Sequence, residues 1–161
     1  MKKINMAEPY FSNEDKKLIH SKLDYILDKK LSMGENVKEF EKEFADRTGV
    51  RHAIAMNSCT SALEAALLSQ NILGKEVILP VQTFIATAMA IHLSGGIPVF
   101  SEISDSTMSL DLDSLKEKIS PKTAGIILVH INGYISPDIF KIKEFCKQQN
   151  IFLIEDSAHA P

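Results

Sequence analysis

Two side chains near the end of the chain, Asp156 and His159, place a carboxylate and an imidazole three positions apart. They follow the apolar run Ile151–Ile154, which is typical of a strand buried on both faces of a parallel sheet. Ligands of open parallel sheets bind beyond the carboxyl ends of the strands, so we expect chemistry at this point. The alternative is that Asp156 only caps a following helix.

The stretch Asn57–Leu63 carries small hydroxyl residues between a predicted strand and a predicted helix. The first turn of a helix has N–H groups without partners and the positive end of the helix dipole, which together suit a phosphate. Ser and Thr are also the usual N-caps, and capping is the more frequent role of any one of them. Neither GxGxxG nor GxxxxGK(S/T) occurs, so dinucleotide and P-loop sites lack their signatures.

Phe84 and His130 also follow predicted strands. The ring of Phe84 can stack on a flat ligand, or it can belong to the hydrophobic core. His130 can contact substrate, or it can be an ordinary polar residue of a loop. Both pairs of alternatives stay open from the sequence.

A thiol enzyme is a rival interpretation of the same residues. Cys59 at a helix N-terminus can have a lowered pKa, which would make its thiolate a nucleophile. His130 or His159 would then act as the base, and Asp156 would orient that histidine. Alkylation of Cys59 should abolish the activity of such an enzyme.

From Arg51 onward, apolar runs alternate with helical patterns, which predicts a mostly parallel sheet flanked by helices. The predicted strands are 53–56, 77–79, 98–100, 124–129 and 151–154, and the predicted helices are 60–70, 84–93, 112–119 and 137–149. The first fifty residues show two helical stripes, which face either a core or another subunit. Ser12 or Asn13 can cap the first helix, and Gly49 can end the second.

Composition limits the classes of function. The 161 residues carry a net charge of −3 with both signs interspersed, which argues against nucleic acid or an anionic membrane as the main partner. Two cysteines form no disulfide framework, and no apolar run approaches the roughly 20 residues of a membrane span. We expect a cytoplasmic protein without a metal site.

Taken together and in order, five motifs resemble those of the DegT/DnrJ/EryC1/StrS aminotransferases. The motifs are Leu31–Gly34 with Phe40-Glu41, Asn57–Leu63, Pro80–Ala88, Gly95–Phe100 and Ile154–Ala160. This resemblance implies a pyridoxal 5'-phosphate enzyme of the type I fold that acts on nucleotide-linked keto sugars, as a homodimer, with glutamate as the amino donor. It also implies a helical lead-in over residues 1–50 and an incomplete α/β cofactor-binding large domain over residues 51–161.

The resemblance assigns a role to each candidate. Cys59 and Thr60 would bind the cofactor phosphate, and Phe84 would stack on the pyridine ring. Asp156 would pair with the ring nitrogen, where a negative charge favours the protonated ring. His159 would lie near the phenolic oxygen of the ring.

One departure from the family pattern concerns the Schiff-base lysine, which the family places downstream of the Asp-x-x-His segment. No lysine follows Lys147, so the resemblance implies that the catalytic lysine lies beyond Pro161 and that no residue here takes its role. The chain therefore resembles the N-terminal part of a longer enzyme, that is, a truncated large domain. Two family alternatives stay open, an inactive member and a sugar dehydratase in which histidine replaces the lysine.

Overall fold

The computed structural model describes residues 9–29 and 34–160. The chain divides into two compact units, the first ending at Ala55 and the second beginning at Met56. Of the Leu31–Gly34 motif, only the glycine lies within the described residues. No helix in the described ranges combines the length and the apolar character needed to cross a membrane.

The first unit contains two helices, α1 (Asn13–Leu27) and α2 (Glu35–Thr48). Ser12 caps α1 through a reciprocal pair of hydrogen bonds with Asp15, which confirms one of the two predicted caps. Gly49 ends α2 in the left-handed conformation at φ 71°, as predicted.

The apolar stripe of α1 contains no buried residue, so within this chain the stripe does not face a core. Leu18 and Ile19, for example, are more than half exposed. In α2, Ala45 is buried, whereas Phe40 and Phe44 are exposed with their ring centroids 6.0 Å apart. Burial of an apolar stripe requires an opposing surface, and the other predicted option, another subunit, stays a prediction.

The predicted strand at 53–56 is wrong, because this segment forms no strand in the structure. A strand needs a hydrogen-bonded neighbour, and no described strand pairs with this segment. The backbone N–H of Ala55 instead donates to Oε1 of Glu41 in α2 at 2.9 Å. Apolar composition alone cannot supply the missing partner.

The second unit is built on a parallel four-stranded sheet in the order β2-β1-β3-β4. The strands are β1 (Glu76–Pro80), β2 (Ile97–Ser101), β3 (Thr123–Val129) and β4 (Phe152–Asp156). The helices are α3 (Cys59–Ser69), α4 (Ile85–Leu93), α5 (Leu112–Lys118) and α6 (Ile139–Gln149), and a short 3-10 helix spans Ile131–Gly133. The predicted sheet with flanking helices is confirmed, and these element ends lie within two residues of the predicted ones.

Both faces of the sheet are covered, which explains why its central strands are apolar without alternation. Successive residues of β1 point to opposite faces. Val77 and Leu79 belong to a hydrophobic cluster with α3 and α4, whereas Ile78 belongs to a second cluster with α5 and α6. The two clusters pack against opposite faces of the sheet, and the parallel pairing places the carboxyl ends of all four strands at one edge.

The connection after β1 leads to β2 at one edge of the sheet, and the connection after β3 leads to β4 at the opposite edge. The two connections therefore diverge between the adjacent strands β1 and β3. Such a divergence opens a crevice at the carboxyl ends of the strands. Phe84 follows β1 at this edge, His130 follows β3, and Asp156 is the last residue of β4. The fold therefore brings three of the residues selected from the sequence to one edge.

Gly125 on β3 provides a test of how closely the sheet is packed. Gly125 is the register partner of Phe152 on β4, and a Cβ atom at Gly125 would collide with the Phe152 ring. We expect Gly125→Ala to lower the free energy of unfolding by about 2 kcal/mol, a usual cost of overpacking, as measured by urea titration.

The matched control is the same substitution in a Phe152→Leu background, where the ring is absent. There the cost of Gly125→Ala should fall by at least half, since the two changes share one contact. Additive costs in the double variant would contradict the proposed packing.

Candidate functional site

Asp156 is a buried carboxylate at the carboxyl end of β4, with 6% of its surface exposed. Its Oδ2 accepts a hydrogen bond from the Thr87 hydroxyl at 2.9 Å. Its Oδ1 accepts from the Cys59 thiol at 3.5 Å and from the Ala158 backbone N–H at 3.3 Å. The alternative that Asp156 merely caps a helix is wrong, because the residues that follow form a turn.

All the protein partners of Asp156 are neutral donors. None of the ion pairs among the described residues includes Asp156. Burial of a carboxylate is costly unless donors or a cation compensate for lost hydration, and a donor-only environment suits the ionised form. The arrangement leaves this buried acid without a positively charged partner from the described part of the chain.

Thr87 and Thr83 are functional candidates that the sequence reasoning missed. Thr87 lies in the first turn of α4 with 1% of its surface exposed, and its Oγ1 lies 2.7 Å from Oγ1 of Thr83. The available signal was a pair of threonines four residues apart beside an apolar helix. Threonine hydroxyls in helices commonly bond to backbone, so this signal alone does not indicate a site.

Cys59 begins α3, and its thiol faces Asp156. Desolvation of the sulfur, together with the negative charge of Asp156, raises the pKa of Cys59 from 9.0 to about 11. This direction is opposite to the lowered pKa that the rival thiol-enzyme interpretation requires of Cys59. A thiol with this pKa stays protonated near neutral pH, where it can donate to Asp156.

The N-terminus of α3 offers donors for an anion. Ser58 is the N-cap, and its Oγ accepts from the Ser61 N–H at 3.2 Å, which confirms capping for this serine. Within the part of the chain that the structure describes, the N–H groups of Cys59 and Thr60 have no acceptor. Such free N–H groups at the positive end of a helix suit a phosphate.

Phe84 is the N-cap residue of α4 and is 71% exposed. The alternative that Phe84 is a core residue is therefore wrong. An exposed aromatic ring beside a cavity offers one face to a planar ligand.

His130 is buried, with both ring nitrogens in hydrogen bonds. The Ser136 N–H donates to Nδ1 at 3.4 Å, so the proton lies on Nε2, which donates to Oε2 of Glu155 at 3.1 Å. His130 is thus a buried residue of the loop after β3 whose two ring nitrogens are both engaged, and contact with substrate stays a prediction. The structure gives no support to its use as the base of a thiol enzyme.

His159 is exposed, and its orientation is set by the loop that follows β3. The backbone N–H of Asn132 donates to Nδ1 of His159 at 3.1 Å. A backbone N–H can only donate, so the Nε2 of a neutral His159 carries the proton. The free nitrogen of His159 is therefore a donor.

One cavity of about 220 Å³ joins these groups. It is lined by all five residues expected to bind cofactor, together with both threonines and His130; the five are Cys59, Thr60, Phe84, Asp156 and His159. No lysine of the described residues contributes to its lining. In residues 9–29 and 34–160, no group of three His, Cys, Asp or Glu side chains is arranged to hold a metal ion.

Comparison with known proteins places this geometry in a family. The profile of the DegT/DnrJ/EryC1/StrS aminotransferase family matches residues 13–161. A GDP-perosamine synthase from Caulobacter vibrioides is 42% identical over 130 residues, which are 80% of this chain and 35% of that protein.

Solved structures show the same fold. An aminotransferase from Psychrobacter cryohalolentis gives a TM-score of 0.86 at 32% identity, over 95% of this chain and 38% of the other. NtdA from Bacillus subtilis with bound cofactor PMP gives 0.84 at 31% identity, over 91% and 34%. This chain thus spans little more than a third of the length of these relatives.

The parallel sheet and both superpositions show the type I fold of pyridoxal-phosphate-dependent aminotransferases. The family profile covers nearly the whole sequence, from residue 13 to residue 161. The chain therefore belongs to the DegT/DnrJ/EryC1/StrS aminotransferase family.

Proposed function

We propose that this chain forms the pyridoxal-phosphate-binding site of an enzyme that transfers an amino group from glutamate to a nucleotide-linked keto sugar. The observation that carries the proposal is Asp156, a buried carboxylate that faces a cavity and, among the described residues, has hydrogen-bond donors but no cation around it. A protonated pyridine nitrogen is the kind of cation that such a carboxylate would bind.

The residues of the cavity fit pyridoxal phosphate at each of its ends. Its phosphate suits the free N–H groups of Cys59 and Thr60 at the start of α3. Its planar ring suits the exposed aromatic side chain of Phe84. Its ring nitrogen suits Asp156, and its phenolic oxygen suits the donor nitrogen of His159.

The family and the structural neighbours with bound cofactor also indicate pyridoxal phosphate. When bound, this cofactor supplies an electron sink for carbanion chemistry. In the proposal the protein residues have simpler tasks. Asp156 holds a proton on the ring nitrogen, Phe84 fixes the plane of the ring, and α3 holds the phosphate.

Covalent attachment of the cofactor is assigned to a lysine other than those in residues 9–29 and 34–160. No lysine of these described residues lines the cavity. We therefore assign to residues 51–161 the binding and orientation of the cofactor, and to residues 1–50 a helical lead-in whose exposed apolar stripe contacts a second subunit of a homodimer.

The sugar substrate is proposed from the relatives. The similar protein from Caulobacter vibrioides is a GDP-perosamine synthase, a name that indicates a nucleotide-linked amino sugar as its product. A cytoplasmic location is part of the proposal, in keeping with two free cysteines.

Binding of pyridoxamine 5'-phosphate tests the role of Asp156, because this form of the cofactor requires no lysine. We expect Asp156→Asn to weaken binding at least about tenfold, since a charge-assisted hydrogen bond contributes roughly 1.5–3 kcal/mol. The measurement is a fluorescence or calorimetric titration of the purified chain.

The matched control is Asp105→Asn, which removes the same charge from an exposed turn. Asp105→Asn should bind like the wild-type chain. Absence of binding to the wild-type chain, or equal affinities for wild type and Asp156→Asn, would contradict the proposed function.

Cys59 separates the proposal from a thiol enzyme. Because the pKa of Cys59 is raised from 9.0 to about 11, its thiolate population at pH 8 should be roughly a hundredfold below that of a thiol with the ordinary value. We expect iodoacetamide to modify Cys59 correspondingly slowly at pH 8, with the rate rising up to pH 11, as followed by peptide mass spectrometry.

The unfolded chain in urea provides the reference rate for the same cysteine. Cys59→Ala should still bind pyridoxamine 5'-phosphate, because the thiol is a weak donor. Rapid modification of the folded chain with a midpoint below pH 8 would instead support a nucleophilic thiol.

A further inference from the structure

Thr87 makes an unusual contact for a threonine in the first turn of a helix. Its hydroxyl bonds to the Asp156 carboxylate, 69 positions away in sequence, and not to the preceding backbone. Thr87 is 1% exposed and lies at the wall of the cavity, on a helix whose other buried residues are apolar. Such burial is unfavourable for a hydroxyl unless its hydrogen bonds are satisfied, so Thr87 and Asp156 constrain each other.

The direction of the hydrogen bonds follows from the number of protons. An ionised carboxylate only accepts, so the single hydroxyl proton of Thr87 is donated to Oδ2 of Asp156. The 2.7 Å contact between Thr83 and Thr87 must then use the proton of Thr83. The two hydroxyls form a chain that runs from Thr83 through Thr87 to Asp156.

The two oxygens of Asp156 are not equivalent. Oδ1 accepts from two donors, the Cys59 thiol and the Ala158 N–H, whereas Oδ2 accepts from Thr87 alone. Each carboxylate oxygen has about two acceptor directions. Within the described part of the chain, Oδ2 therefore retains one direction for a further donor.

We propose that Thr87, supported by Thr83, is a positioning residue that holds Asp156 so that Oδ2 accepts a hydrogen bond from the N–H of a protonated ring nitrogen. This inference rests on the proposed binding of pyridoxal phosphate and names the hydroxyl chain that orients its acidic partner. Thr87 acts through Asp156 and has no task in the reaction itself. Loss of the Thr87 hydroxyl removes one of the three donors to the Asp156 carboxylate and leaves that carboxylate freer to rotate.

The test compares two ligands that differ at one ring atom. One is pyridoxamine 5'-phosphate, and the other is its analogue with C–H in place of the ring nitrogen. The ratio of their affinities for the purified chain reports the contact with Asp156 and is insensitive to losses shared by both ligands. We expect wild type to prefer the nitrogen-containing ligand.

Thr87→Val keeps the shape of the side chain but removes its hydroxyl, and we expect this ratio to fall about tenfold. Thr87→Ser keeps the hydroxyl and should retain the wild-type ratio. Thr83→Val, at a partly exposed position, should fold normally and lower the ratio by a smaller factor of about three. Circular dichroism verifies the fold of each variant.

The outcomes separate the inference from the function on which it rests. A wild-type chain without preference for the ring nitrogen would overturn the proposed role of Asp156. A wild-type preference that survives in Thr87→Val, or equal weakening of both ligands, would overturn the positioning role alone. If Thr87→Val does not fold, an unchanged ratio in Thr83→Val overturns the hydroxyl chain.

Discussion

The site depends on one interaction, the donation of three neutral hydrogen bonds to the buried carboxylate of Asp156. Burial of a carboxylate is tolerated when donors replace its hydration, and here the donors come from α3, α4 and the turn after β4. No cation among the described residues neutralises the charge. A buried carboxylate with neutral donors only differs from a structural ion pair, and its uncompensated negative charge suits a cationic ligand.

The fold produces this interaction from distant parts of the sequence. Parallel pairing of β1, β3 and β4 brings their carboxyl ends to one edge, and the connections diverge there. The N-terminus of helix α3 lines the same crevice, so the backbone N–H groups of its first turn lie beside the buried acid. A ligand with a phosphate at one end and a cationic aromatic ring at the other matches both.

The sequence predicted the elements whose signal is local. The apolar runs of β1, β3 and β4 and the position of Asp156 at a strand end are confirmed. The strand at 53–56 was wrong because strand formation depends on a partner that composition does not reveal. The rival thiol-enzyme interpretation required a lowered Cys59 pKa, whereas burial and Asp156, 97 positions away in sequence, raise it. The hydroxyl chain through Thr87 depends on the same tertiary contact.

The most direct test of the role of Asp156 is nitrogen NMR of pyridoxamine 5'-phosphate labelled with ¹⁵N in the ring and bound to this chain. We predict the resonance of a protonated ring nitrogen, persisting to higher pH than in the free cofactor. In Asp156→Asn the nitrogen should titrate as it does in free solution. A ring nitrogen that titrates alike in wild type, in Asp156→Asn and in water would contradict the account.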